Sequence, residues 1–303
     1  MAAVSDVSFR IDDGESVGVV GESGSGKTQT FLSIMGLLAS NGACSGSARF
    51  HGQELLGLPA RQLNRIRGVR LAMVFQDPMT SLNPYLRISR QMTEVLIEHK
   101  GMNEASARAE SLRLLDRVGI PAAPSRFDLY PHEFSGGMRQ RVMIATALLC
   151  QPDLLIADEP TTALDVTVQA EVLELIRELC TARGTAVLMI SHDLGLIATM
   201  CRKVAVMYAG RVVEQRGAGE IFRRPSHPYT AGLVGSLPLL GSRAAHGRRR
   251  LAEIPGVVPG VADFPQGCRF NPRCGRATEI CRSVDPPPEP LPPEGVVRCH
   301  HHA

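Results

Sequence analysis

Apolar positions in the first two-thirds of this chain fall into two kinds of run. Short and nearly unbroken ones, Ser16–Val20, Leu154–Ala157, Ala186–Ile190 and Val204–Tyr208, have the length of buried strands. Longer ones with helical spacing cover Lys27–Leu38, Ile88–His99, Asn103–Val118 and Val142–Leu149. Arg211–Glu214 reads as a strand returning after a turn at Gly210, and Gly217–Phe222 leads out of the body. Strands alternating with helices predict an α/β fold with a parallel sheet. From about Tyr85 to Glu133 the pattern is helical with no strong strand, which predicts a helical subdomain over about residues 85–140.

Past Phe222 this patterning dissolves. Of 21 prolines, 10 lie between Pro255 and Pro293, and four of the eight cysteines lie between Cys268 and Cys299. The chain therefore divides into a body, 1–222, and a small irregular Cys/Pro-rich extension, 223–303. Cys44, Cys150, Cys180 and Cys201 are scattered singly, as buried thiols usually are. With 44% hydrophobic and 21% charged residues the chain is not disordered, and a formal charge of +3 is too small to argue for nucleic acid. No apolar run approaches the ~18 residues that span a bilayer. The start, Met1-Ala-Ala-Val, has no basic segment followed by an apolar stretch and does not read as a secretory signal.

Chemistry enters at the end of the first strand. Gly21-Glu22-Ser23-Gly24-Ser25-Gly26-Lys27-Thr28 fits G-x-x-x-x-G-K-[ST] between a strand and a helix. Glycines let successive N–H groups curl inward around phosphate oxygens, and the following helix adds its positive end. Gly21, Ser23, Gly24, Ser25, Gly26, Lys27, Thr28 and Gln29 are the candidate ATP-binding residues, with Lys27 reaching the β- and γ-phosphates and Thr28 holding Mg²⁺. The strand Leu154–Ala157 delivers Asp158 and Glu159 at the end where α/β sheets bind ligands. Asp158 suits the Mg²⁺ shell and Glu159 a general base or water-positioning group. Ser135-Gly136-Gly137 opens the helix at Val142–Leu149 with an N-cap and open backbone N–H groups, which suits a second anion site.

With these residues in hand the chain resembles the ATPase subunits of ABC transporters. Ser135-Gly136-Gly137-Met138-Arg139-Gln140-Arg141 is similar to the family signature, with Phe134 and Met138 in place of the usual Leu and Gln, as in the peptide-importer branch. By the same resemblance Gln76 lies in the Q-loop and contacts Mg²⁺. Thr162-Ala163-Leu164-Asp165 matches the D-loop, and His192 the switch histidine on the γ-phosphate. The segment Asp128–Glu133 would join the surface that couples to the membrane subunits. The resemblance implies that ATP and Mg²⁺ are sandwiched between this chain, through Ser135, Gly136, Gly137 and Met138, and a second, paralogous ATPase subunit in a heterodimer. It also implies two transmembrane permease subunits, an extracytoplasmic peptide-binding protein, and a peripheral place on the cytoplasmic face of the inner membrane, with no nucleic acid partner.

The tail sharpens the branch. Arg224–Thr230, with His227-Pro228-Tyr229-Thr230, then Glu253–Pro259 and Phe270-Asn271-Pro272-Arg273-Cys274 resemble the C-terminal extension of the peptide/nickel importer ATPases. The cysteines are spaced C-x₅-C-x₆-C with seventeen residues before Cys299. That spacing does not fix a metal. The resemblance favours a [4Fe–4S] cluster on Cys268, Cys274, Cys281 and Cys299. Zn²⁺ aided by His300, His301 or His302 is the alternative, and free thiols the third reading. Arg248-Arg249-Arg250 with Arg243 reads as a solvated linker cluster ahead of an RNA or lipid contact, since no aromatic platform accompanies it.

These readings converge on the ATP-hydrolysing subunit of a di/oligopeptide importer. A nickel or other small-solute importer, a soluble ABC ATPase acting on nucleic acid or ribosomes, and a metal-bearing sensor or assembly module are the alternatives. The family also stacks an aromatic on adenine from a strand ahead of Asp6-Val7-Ser8-Phe9, and that aromatic has no counterpart here. This predicts either a start upstream of Met1 or a different adenine contact.

Overall fold

The computed structural model describes residues 2–77, 81–161, 164–237 and 253–302. Arg243, Arg248–Arg250, and Thr162 and Ala163 of the D-loop stretch lie outside the described residues. In chain order the principal elements are β1 (Ser16–Val20), α1 (Lys27–Ile34), β2 (Arg49–Phe50), β3 (Gln53–Glu54) and β4 (Leu71–Val74). Then come α2 (Ile88–Lys100), α3 (Glu104–Arg117), α4 (Gly136–Leu148), β5 (Leu154–Asp158), α5 (Val166–Thr181) and β6 (Ala186–Ser191). They are followed by α6 (Leu194–Met200), β7 (Lys203–Tyr208), β8 (Arg211–Gly217), α7 (Pro228–Gly235), β9 (Glu289–Pro290) and β10 (Gly295–Val297).

The chain divides into two compact units. One comprises Met1–Arg10, Ser16–Thr30 and Met189–Ala303, the other Ile11–Glu15 and Phe31–Leu188. Strand β6 crosses the division, so each unit owns half of it. In the first unit the strand order is β6-β1-β7-β8-β10-β9. Strand β1 runs parallel to β7, with Val17 opposite Lys203 and Val20 opposite Val206. A tight turn at Ala209-Gly210, both residues with positive φ, returns the chain antiparallel as β8. Val17, Val20, Val204, Val206 and Tyr208 are fully buried, so these strands read as unbroken apolar runs, as parallel strands covered on both faces do.

In the second unit β4, β5 and β6 are neighbours, with Leu71 opposite Leu154 and Val74 opposite Ala157 in parallel register. Helices α2, α3 and α4 pack on one another, and α4 also packs on β4. Their facing side chains, Ile88, Met92, Leu96, Leu114, Leu115 and Ile144, are almost wholly buried. Several helices begin on a side-chain cap. Asn103, Ser135 and Asp165 accept the backbone N–H of Ser106, Met138 and Val168, and in the first unit Asp193 accepts that of Leu196. Each cap contributes about 1 kcal/mol and sets where its helix starts.

Three expectations need correction. Cys150, Cys180 and Cys201 are buried, but Cys44 is exposed. Helix α1 stops at Ile34, short of Leu38, because Gly36 takes φ +60° and Leu37 N–H reaches back to the Leu32 carbonyl at 2.8 Å. Nor is the extension wholly irregular. Its β10 pairs antiparallel with β8, Val297 opposite Glu214, and β9 pairs with β10. Strands of two and three residues among prolines carry no periodicity to read, and Pro290 is tolerated because β9 lies at the edge.

Glu214, fully buried on β8, anchors the start of the extension: its two carboxylate oxygens accept the N–H groups of Ser226 (2.9 Å) and His227 (2.8 Å). The His227 Nδ1 in turn accepts the Tyr229 N–H at 3.0 Å. Burial holds this imidazole far below its ordinary pKa of 6.5, at about 3. The unfolded chain therefore binds a proton near pH 6.5 that the folded chain refuses down to about pH 3. The stabilisation is fully present above pH 6.5 and declines as pH falls through that window. Urea midpoints measured between pH 7 and 4 should fall less steeply in His227→Asn than in the parent; parallel slopes would contradict a neutral, buried His227.

Candidate ATP site

The first unit holds the phosphate loop. Gly21 ends the run out of β1, where an added Cβ would lie 2.1 Å from the Met207 carbonyl of β7, so no larger residue fits this approach. Gly24 and Gly26 take φ +80° and +93°. Lys27 is buried, and its ammonium donates to the carbonyls of Gly21 (2.7 Å) and Glu22 (3.1 Å) and to the Ser25 hydroxyl at 3.5 Å. Those contacts fold the lysine back over its own loop, placing a positive charge inside the ring of backbone. Ser25 is buried, Thr28 half-buried, and Ser23 and Gln29 exposed. His192 is exposed one residue past β6, beside Ser191, whose hydroxyl accepts the Asp193 N–H at 2.9 Å.

The second unit brings together Gln76 and Glu159. Glu159 follows β5 with φ +44°, a left-handed conformation disfavoured for a non-glycine residue and common where side chains are aimed for chemistry. The Gln76 side-chain amide donates to its carboxylate at 3.2 Å. Asp158, the last residue of β5, is buried. Ser135 accepts the Met138 N–H at 3.3 Å, so it caps α4, and Gly136 and Gly137 form the first turn. Arg139 donates to the Phe134 carbonyl at 2.8 Å, and Gln140, buried in α4, donates to the Pro160 carbonyl just beyond Glu159. The signature helix and the acidic strand end are thereby joined directly. Asp165 caps α5 through the Val168 N–H at 3.0 Å.

In the extension all four tail cysteines, Cys268, Cys274, Cys281 and Cys299, line one small cavity with Phe270, His300 and His301. Its volume is about 10 Å³, close to that of a single water-sized sphere. Burial pushes the Cys268 thiol up to about 11 and raises Cys299 as well, so both are held as neutral thiols. Among the described residues no group of three or more His, Cys, Asp or Glu side chains is arranged to hold a metal ion. The four cysteines that the resemblance groups together thus line one cavity.

One part of the site lies beyond what the motifs identify. Glu22, inside the phosphate loop, is gripped by two groups of the extension. Arg273 donates to its two carboxylate oxygens at 2.7 and 3.0 Å, and the Glu22 N–H donates to the Tyr229 hydroxyl at 2.9 Å. Both residues stand in the tail segments that resemble peptide-importer extensions, but a resemblance of short Pro-rich segments carries no role for any one side chain.

A glycine-lined phosphate loop, an acidic strand end with a paired glutamine, and a capped glycine-rich helix start define a P-loop nucleotide hydrolase of the ATP-binding-cassette class. The chain belongs to the ABC transporter ATPase family. The ABC transporter model matches residues 4–162, and the model of the oligopeptide/dipeptide transporter C-terminal region matches residues 213–281. The chain is 54% identical over 299 residues to the oligopeptide transport ATP-binding protein OppD of Salmonella typhimurium, covering 99% of this chain and 88% of that one. It is 47% identical over 300 residues to the dipeptide transport ATP-binding protein DppD of Escherichia coli, covering 99% and 90%. Among solved structures it resembles the dimeric ATP-binding cassette MJ0796 bound to ADP and Pi, at TM-score 0.64 and 27% identity over 71% of this chain and 90% of that one. Among the described residues no helix is long and apolar enough to cross a membrane.

Proposed function

We propose that this chain is the ATP-hydrolysing, energy-coupling subunit of an importer of di- or oligopeptides. The observation that carries the reading is a likeness to oligopeptide transport ATP-binding proteins that runs through both cassette and extension, over 99% of the chain. Residues 1–222 form the ATPase domain, with its helical subdomain at about 85–140, and 223–303 the peptide-importer extension. The partners are a paralogous ATPase subunit, two transmembrane permease subunits and an extracytoplasmic peptide-binding protein, with the chain peripheral on the cytoplasmic face of the membrane. A groove of about 380 Å³ lined by Asn83, Leu86, Gln91, Glu94 and Val95, beside the 87% exposed Tyr85, supports docking of a permease segment on the helical subdomain. Asp128–Glu133 belongs to the same coupling surface.

In the reaction, Gly21, Ser23, Gly24, Ser25, Gly26 and Gln29 hold the nucleotide. The Lys27 ammonium leaves its loop carbonyls for the β- and γ-phosphates. By the family resemblance Thr28, Gln76 and Asp158 would hold Mg²⁺ through a hydroxyl, an amide and a carboxylate oxygen, and the ion would offset charge developing on the phosphoryl oxygens. Glu159 positions and deprotonates the attacking water, held in place by Gln76, and His192 contacts the γ-phosphate. Ser135, Gly136, Gly137 and Met138 complete the partner's site, and Asp165 lies at the dimer seam. Catalysis of this kind is mostly positioning and charge stabilisation.

Two experiments address this reading. Purified from solubilised membranes, the subunit should bring two permease-like chains and a second ATPase, whereas recovery with ribosomes would replace transport by a soluble role. Glu159→Gln in that complex should retain ATP binding and lose hydrolysis by a factor of about 10² or more, as removal of a positioned base does. Turnover near that of the parent would remove Glu159 from its role.

For the extension the proposal is a structural [4Fe–4S] cluster on Cys268, Cys274, Cys281 and Cys299, supported by four thiols facing one cavity. A metal staple suits a segment too poor in apolar residues to build its own core. Anaerobic purification should give iron and acid-labile sulfide at about four per chain. Stoichiometric zinc without sulfide would replace the cluster by a zinc site, and neither metal would leave four free thiols.

A further inference from the structure

The phosphate loop is held from outside by the extension. Glu22 is its second residue, and its carboxylate is one half of a bidentate pair with Arg273, Nη1 to Oε2 at 2.7 Å and Nη2 to Oε1 at 3.0 Å. The side chain of Arg273 is 4% exposed and that of Glu22 34%, so the fork is shielded on the arginine side and open on the loop side. The guanidinium is itself fixed. Its Nε donates to the Pro255 carbonyl at 2.7 Å, its Nη2 to that of Ile254 at 3.3 Å, and it lies over the rings of Tyr208 and Phe270. A guanidinium so restrained presents one geometry to its carboxylate, which a flexible lysine could not reproduce.

The backbone of Glu22 is held as well. Its N–H donates to the hydroxyl of Tyr229, which is fully buried and packs on Tyr208 and Phe270 with ring centroids 4.7 and 5.4 Å away. Tyr208 is the last residue of β7, next to Met207, whose carbonyl Gly21 approaches. Side chain and backbone of one loop residue are thus tied to two residues of the extension, and both tie-points rest on one aromatic cluster. The rest of the loop turns on glycines at positive φ, the residue type with the most conformational freedom to lose on ordering.

We propose that Arg273, with Tyr229, is a positioning residue of the ATP site: the pair fixes Glu22 so that the loop N–H groups are already aimed at the phosphates before nucleotide arrives. Neither residue touches ATP; both act through Glu22. Preorganisation of this sort lowers the cost of ordering the loop on binding, in ground state and transition state alike. Its loss therefore appears in ATP affinity and KM more than in kcat. The inference rests on ATP binding at the phosphate loop and not on the solute that the importer carries.

The test reads Kd for MgATP on this chain and KM and kcat on its complex with the partner ATPase and permease subunits. Arg273→Gln should raise both Kd and KM for ATP about tenfold while kcat changes less than about threefold, and Arg273→Lys should fall between it and the parent. Glu22→Gln should raise Kd similarly, and combining it with Arg273→Gln should add little, since both remove one interaction. Tyr229→Phe should raise Kd without altering the response to Arg273→Gln by more than a small factor. Unchanged Kd in Arg273→Gln, additive effects of the two Gln variants, or a loss confined to kcat would each overturn the proposal. Should Arg273→Gln fail to fold, Glu22→Gln alone decides, because parent-like ATP affinity there would refute the clamp.

Discussion

The phosphate loop depends on a contact that is shorter than any side chain could allow. Gly21 leaves β1 so close to the Met207 carbonyl that a Cβ would overlap it, and this pins the first residue of the loop to the end of β7. Everything downstream in that unit inherits the placement. The buried lysine closes over the same loop, and the turn at Ala209-Gly210 sends β8 back towards Glu214, from which the extension hangs. The extension then returns through Tyr229 and Arg273 to the residue next to Gly21. A loop built to be flexible is thus bounded by a backbone contact on one side and by a buried fork on the other.

The acidic end of β5 solves a different problem in the second unit. There Glu159, just past the strand, has a left-handed backbone. A conformation of this kind costs of order 1–3 kcal/mol and persists only where neighbours over-determine it. Gln76 supplies one restraint through the carboxylate. Gln140, reaching from the signature helix to the Pro160 carbonyl, supplies another through the backbone. Helix α4 is therefore joined by a hydrogen bond to the residue that follows Glu159.

Much of this was legible in the sequence, for identifiable reasons. The strands β1, β5, β6 and β7 are buried on both faces, so their apolar runs stand out against polar loops, and the structure ends them within one residue of the sequence-based bounds. The phosphate loop was readable because its glycines and lysine are each required by geometry, and Ser135 because capping chemistry is local. What was not legible depends on contacts distant in sequence. Glu22 and Arg273 are separated by 251 positions, and nothing near either one announces the other. Strands β9 and β10 pair because β8 offers an open edge, and at two and three residues they are too short for their own pattern to announce them. The end of α1 turned on the left-handed conformation of one glycine, which outweighed an apolar pattern continuing to Leu38.

The central claim is that the extension holds the phosphate loop in shape before nucleotide binds, and the Glu22 amide reports on it directly. This N–H is donated to a fully buried Tyr229 hydroxyl. Amide hydrogen exchange should therefore find it protected to the level of the β1 amides, with the protection lost in Tyr229→Phe. Exchange of the Glu22 amide at the rate of an open, solvent-exposed loop would contradict the account.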